Sequence, residues 1–158
     1  MRPVLTVSLA AAGLVLAGCS APPDPEVTFY AAGTTIDVGP TQLCDVALNE
    51  CEAFPGAAGA LRVPPGRPLQ ISVPGEVAET PWTVVFSYRN AAGEPQEPAR
   101  SRIFTKDEQY AYTLTLPDPG DQLETVEVQQ LGAALTPDGT DLQFFTRATW
   151  VLSIDDRG

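Results

Sequence analysis

The sequence predicts an all-β domain: an antiparallel immunoglobulin-like β-sandwich of about seven strands with an irregular, disulfide-pinned segment. Three observations carry this expectation. Apolar residues from Val27 onward recur at every second position, the period of a half-buried strand. Turn chemistry separates the runs, and 16 prolines with 13 glycines break the chain too often for a long helix.

The amino terminus comes first. "MRPVLTVSLAAAGLVLAGCS" carries one arginine, Arg2, and then an apolar run from Pro3 to Ala17 that is too short to span about 30 Å of hydrocarbon. It ends in small residues, as a secretory signal does. Leu16-Ala17-Gly18-Cys19 matches the bacterial lipobox at each position. In that chemistry diacylglycerol joins the Cys19 sulfur through a thioether, and small Ala17 and Gly18 admit the signal peptidase. Residues 1–18 are therefore expected to be a lipoprotein signal peptide, and 19–26 a lipidated cysteine with a Pro-rich tether. Two acyl chains hold a protein stably at a bilayer, at about 0.8 kcal/mol per buried CH₂. The tether "SAPPDPE" should reach roughly 20 Å, with one β-sandwich domain following over 27–158.

Removing residues 1–18 leaves Cys44 and Cys51 as an even pair in an oxidising compartment. Seven residues of straight helix or straight strand would hold their Cα atoms beyond the ~7 Å that a bridge allows. A disulfide therefore requires "DVALNE" to fold back as a loop. The spacing is wrong for a C-x-x-C redox pair. A structural zinc site would find only Asp45, Glu50 and Glu52 nearby, which falls short of a set of four Cys or His ligands.

The strands follow in order. "LQISV" places Leu69, Ile71 and Val73 on one face, and "WTVVFSYR" does so with Trp82, Val84, Phe86 and Tyr88. "YAYTLTL" offers Tyr110, Tyr112, Leu114 and Leu116. "TVEVQQL" aligns Val126 and Val128, but Leu131 falls on the other face, so a bulge is expected there. "LQFFTRATWVLSI" aligns Leu142, Phe144, Ala148, Trp150, Leu152 and Ile154, interrupted by Thr146. The turns are "AAGT" (31–34), "VPPG" (63–66), "NAAG" (90–93), "PDPG" (117–120) and "PDGT" (137–140). The Trp82 strand is expected to be central, and Pro40 to Pro68 to be the least regular stretch.

Composition narrows the chemistry. Nine basic residues against 20 acidic ones give a net charge of −11. Loss of Arg2 with the signal leaves 8 basic residues and a net charge of −12. Such a surface lacks the clustered cations that nucleic-acid binding needs. There is no histidine, which removes the commonest general base and the usual Ser-His and Cys-His pairs. The serines sit in no nucleophile motif. The loops "PDPGD" (117–121) and "PDGTD" (137–141) suggest calcium, yet they flank one strand and should lie roughly 30 Å apart. Asp155, Asp156, Asp107 and Glu108 read as surface charge, and Lys106 as the ion-pair partner of the adjacent Asp107 and Glu108. No catalytic residue, cofactor or metal is expected. Phe145, Arg147 and Val151 alternate opposite Trp150; exposed, they would form a partner patch, although burial under a loop is the simpler reading.

"VTFYAAGTTIDVGPTQLCDV" followed by "ISVPGEVAETPWTVVFSY" resembles a family of actinobacterial secreted lipoproteins known only as a domain of unknown function. The likeness rests on Cys44-Asp45-Val46, Cys51 and the run from Val73-Pro74 to Pro81-Trp82. It implies a location and a single domain, and it transfers no site residues. The expected function is a membrane-anchored, extracytoplasmic, non-catalytic interaction or structural module. It would be held on the outer face of the cytoplasmic membrane by the lipid anchor on Cys19 and would meet an envelope protein partner. The alternative is a small-molecule or lipid carrier with a cavity between the sheets.

Overall fold

A computed structural model describes residues 23–155. The predicted signal peptide, Cys19 and the first part of the tether lie outside the described residues. Eleven strands are present among those described. They are β1 (Val27–Ala31), β2 (Thr34–Val38), β3 (Gln42–Cys44), β4 (Cys51–Ala53), β5 (Gly59–Leu61), β6 (Leu69–Ser72), β7 (Trp82–Arg89), β8 (Ala99–Arg100), β9 (Ala111–Leu114), β10 (Gln122–Leu135) and β11 (Leu142–Ile154). The only α-helix among them is the single turn α1 (Gly75–Ala78).

The strands form two sheets. One has the order β2-β1-β6-β9, and the other runs β4-β3-β11-β10-β7-β8, with β5 added on β11. All pairings are antiparallel except β5 with β11. The order is immunoglobulin-like. Strands β1, β6 and β9 take the A, B and E places, while β7, β10 and β11 take C, F and G. Strand β8 sits beside β7 as a short C′, and β2 flanks the A strand.

Five of the eleven strands, β6, β7, β9, β10 and β11, are runs named from the sequence; β1 and β2 flank the turn expected at 31–34, and β3, β4, β5 and β8 are the short additions. Three of these, β3 to β5, come from the segment expected to be least regular. Strands β3 and β5 pair along the outer edge of β11, with β4 beyond β3, and so displace the sheet's middle. The strand of Trp82 is consequently not the central one; β10 and β11 are. Trp82 still fills the space between the sheets, as expected of a strand-C tryptophan.

The core follows from alternation. Val27, Phe29 and Ala31 of β1 and Leu69 and Ile71 of β6 face Trp82, Val84, Val126, Val128, Ala148, Trp150 and Leu152 of the opposing sheet. All are buried. Burial contributes about 1.5–3 kcal/mol for each large aliphatic or phenyl side chain, which supplies most of the stabilisation. Trp82 stacks at a tilt on Phe104, with ring centroids 4.4 Å apart, and Phe104 meets Tyr112 at 5.4 Å. Both indoles find polar partners. Trp82 Nε1 donates to the Gln109 carbonyl at 3.0 Å, and Trp150 Nε1 donates to the Pro25 carbonyl at 2.8 Å.

The turns behave as their residues dictate. Gly66 closes "VPPG" at φ 69°, and a β-carbon there would sit 2.4 Å from the Pro119 carbonyl oxygen. Only glycine satisfies both demands. The buried Gln130, which no sequence pattern signals, donates from Nε2 to the carbonyls of Glu76 and Val77 at 2.8 and 3.3 Å. It thereby ties helix α1 to β10 and satisfies carbonyls that so short a helix leaves free.

Candidate functional site

The two extended features outside the core are the disulfide hairpin and the β10–β11 ribbon, and they meet at β11. Cys44 and Cys51 stand directly opposite each other in the β3–β4 register and are bridged, with Cα atoms 4.0 Å apart. The intervening loop folds back as required. Asp45 Oδ1 accepts from the backbone N–H groups of Asn49 at 2.7 Å and Glu50 at 3.3 Å, and the Asp45 N–H donates to the Glu50 carbonyl. The aspartate beside the first cysteine therefore builds the turn that brings the second one back. Glu50 and Glu52 remain exposed.

Strand β11 pairs with β3 only through Thr149 and Ala148. Strand β7 likewise stops opposite Gln130 of β10. Beyond these limits β10 and β11 continue as a two-stranded ribbon, with Ala133 opposite Phe144 and Leu135 opposite Leu142. The register shifts between Gln130 and Leu131: Gln130 faces Ala148 and Leu131 faces Thr146, leaving Arg147 as the extra residue. The bulge anticipated from Leu131 is thus present, although the extra residue lies on the partner strand.

An extra residue inverts the alternation of everything past it. Leu142 and Phe144, expected to align with Trp150 in the core, are instead 64% and 48% exposed. Leu135, on the same ribbon face, is 66% exposed. The partner patch weighed for Phe145, Arg147 and Val151 does not form; all three are half-buried, nearer the simpler reading of burial. Phe145 moves to the opposite face and packs over Gly132, where an added β-carbon would lie within 2.2 Å of the ring. Tyr110 also departs from its predicted inward face. It precedes β9, is 49% exposed and donates its hydroxyl to Asp107. The Asp107 charge pushes the Tyr110 phenol up.

The ribbon tip is closed by Thr136. Its hydroxyl donates to Asp138, its backbone N–H donates to the Asp141 carbonyl at 2.8 Å, and its hydroxyl oxygen accepts from the Asp141 N–H at 3.1 Å. The Thr136 hydroxyl, with help from Thr140, holds the Asp138 carboxyl below its ordinary range.

The carboxylates form no single centre. The loops 117–121 and 137–141 lie at opposite ends of β10, as their spacing demands. Among the described residues no group of three or more histidines, cysteines or acids is placed to hold a metal. Glu108 pairs with Arg102 at 2.7 Å rather than with Lys106. The hydrogen bonds from the Thr105 backbone N–H and hydroxyl, then the Arg102 guanidinium, hold the Glu108 carboxyl low. Arg102 also lies 4.5 Å above the Phe104 ring, where the cation is attracted to the ring face. Lys106 loses this pairing because "TKDE" turns back on itself, with Asp107 at φ 55°, and the Glu108 carboxylate closes on Thr105 and Arg102.

A concavity of about 220 Å³ at one end of the sandwich is lined by Val63, Arg67, Leu116, Asp118, Asp121 and Leu123. A shallower one of about 310 Å³ lies where Pro23, Asp24 and Glu26 pass Pro40 and Phe54. No helix among the described residues is long and apolar enough to cross a membrane.

Relatives at 30% identity over 148 residues include uncharacterized proteins of Mycobacterium tuberculosis (Rv0875c in strain H37Rv, MT0898 in strain CDC 1551) and of Mycobacterium bovis (Mb0899c). Each alignment covers 93% of this chain and 88% of the relative. No solved structure matches the chain at a significant level. The family model described as "Protein of unknown function (DUF2771)" matches residues 20–155. By that span and these relatives, the chain belongs to the DUF2771 family.

Proposed function

We propose that the protein is an extracytoplasmic lipoprotein, anchored through Cys19 to the outer face of the cytoplasmic membrane, whose domain is a non-catalytic interaction module of the cell envelope. Anchoring is argued from Leu16-Ala17-Gly18-Cys19 and from the even cysteine pair that remains once Cys19 is assigned to lipid. The observation that most supports an interaction role is the ribbon's exposed apolar face, Leu135, Leu142 and Phe144, carried beyond the sandwich by long strands. Contiguous apolar patches exposed outside a core are a mark of interaction surfaces.

A carrier would need an apolar cavity of several hundred Å³ between the sheets. That space is occupied by Trp82, Trp150, Phe29 and Phe104, all at most 1% exposed. The core therefore favours the module.

Crosslinking in native membranes, followed by affinity recovery beside a Cys19→Ala version, tests the proposal. One stoichiometric protein partner and a membrane-bound wild type are expected, with Cys19→Ala released. Lipid recovered in place of protein would transfer the case to the carrier. A Cys19→Ala protein as firmly bound as the wild type would overturn the anchor.

A further inference from the structure

We infer that the outer edge of β11 from Leu142 to Arg147 is a docking edge for an extended segment of another protein, apolar at alternate positions and carrying a basic residue at each end. This rests on the interaction-module reading above and specifies the surface and the chemistry of its partner. Six residues of edge span about 20 Å. On one side Leu142 to Thr146 pair with β10, with Arg147 the bulged residue; on the other, pairing with β3 ends at Ala148. Their outward backbone groups are therefore a template that an added strand would complete.

Side-chain chemistry selects the occupant. Leu142, at the start of the edge, and Phe144 within it stand exposed and would meet alternate side chains of the incoming strand. Carboxylates stand at both ends. Asp138 and Asp141 lie at the tip, and Asp45, Glu50 and Glu52 line a concavity of about 290 Å³ with Leu43, Cys44 and Arg147 at the base. Arg147 offsets only part of that charge, and its Nε is buried without a hydrogen-bond partner. Opposite charges facing across strands are favourable and like charges are not. An apolar strand with basic ends fits this pattern, whereas a second copy of so acidic a chain does not.

The edge is held in shape from both sides. Phe145 over Gly132 fastens the ribbon's inner face, and Thr136 closes its tip. The strand is thus displayed already extended, which lowers the cost of ordering it on binding.

The test uses the full mature chain and a short synthetic peptide of alternating valine and threonine with lysine at both ends. Counterparts carry glutamate ends or N-methylated backbone amides. Calorimetry should show binding of the lysine-ended peptide, weakened about tenfold or more by glutamate ends and weakened by salt. N-methylation on the pairing edge should abolish it. A Leu142→Ser/Phe144→Ser variant, altered only at exposed positions, should keep the wild-type urea midpoint and lose the peptide. Equal binding of both charge forms, or binding indifferent to N-methylation, would overturn the proposal. So would ribbon-dependent self-association, or ribbon-dependent binding to phosphatidylcholine vesicles in place of peptide. If the double variant still captures the same crosslinked envelope partner as wild type, the edge is wrong while the module stands. If neither protein captures a partner, the module reading itself falls.

Discussion

The indole N–H of Trp150 donates to the carbonyl of Pro25 at 2.8 Å, across 125 positions of sequence. Trp150 is fully buried, so its one polar atom had to find a partner, and the chain entering β1 supplies it. The bond fixes where the amino-terminal segment joins the domain. Trp150→Phe keeps an aromatic ring but leaves the Pro25 carbonyl without its donor and a void beside it. A loss of about 1–3 kcal/mol in urea unfolding is expected, together with faster proteolysis at Glu26.

The Cys44–Cys51 bridge closes a short loop at a sheet margin, outside the hydrophobic core. Replacing both cysteines by alanine should cost about 2.5 kcal/mol and leave the near-ultraviolet signals of Trp82 and Trp150 unchanged. Alkylation before and after reduction checks the bridge directly: two free thiols in the unreduced protein would contradict it.

Gln130 holds helix α1 by two carbonyls in an otherwise apolar setting. Gln130→Leu removes the donor and leaves the carbonyls of Glu76 and Val77 short of a partner. A loss of about 1–3 kcal/mol is expected, with hydrogen exchange rising first at Val77 and Ala78.

Glu108 and Asp138 both have carboxyls held below their ordinary values of 4.5 and 3.8. A group depressed in the folded state binds its proton more readily when unfolded, so it adds stability above its ordinary value. That contribution is lost as pH falls through the lowered folded value. Both are solvent-exposed, so the effect should be small and salt-sensitive. The stability of Glu108→Gln should therefore fall less steeply than wild type between about pH 5 and pH 2; an unchanged slope would count against the Thr105 and Arg102 contacts.

Gly132→Val would drive a branched side chain into the Phe145 ring, whose nearest atom stands 2.2 Å from the β-carbon site. The ring must swing away, loosening the ribbon while the sandwich persists. A loss of about 1–3 kcal/mol is expected, with exchange broadening in nuclear magnetic resonance confined to residues 131–146.

The strands and their turns were legible because side-chain direction along a strand is a local property with a period of two. Val126 with Val128, or Leu69 with Ile71, shows it without reference to the rest of the chain. The disulfide was legible for a similar reason, since seven residues leave few ways to bring two Cα atoms together. The bulge was half legible: Leu131 signalled a slip, but not that Arg147 on β11 would be the residue pushed out. Gln130 gave no signal, because its partners are backbone carbonyls more than fifty positions away.

By itself, then, the sequence determined the all-β class, the positions of the longer strands, the fold-back at Cys44–Cys51 and the acidity that disfavours nucleic acid. The tertiary structure alone decided which strands are neighbours, that β10 and β11 rather than the Trp82 strand lie in the middle, and that Leu142 and Phe144 face solvent. The physical reason is that alternation states which residues share a face, whereas burial depends on what lies opposite. From Ala148 toward the ribbon tip none of the described residues covers that face, and one extra residue at Arg147 turns it over.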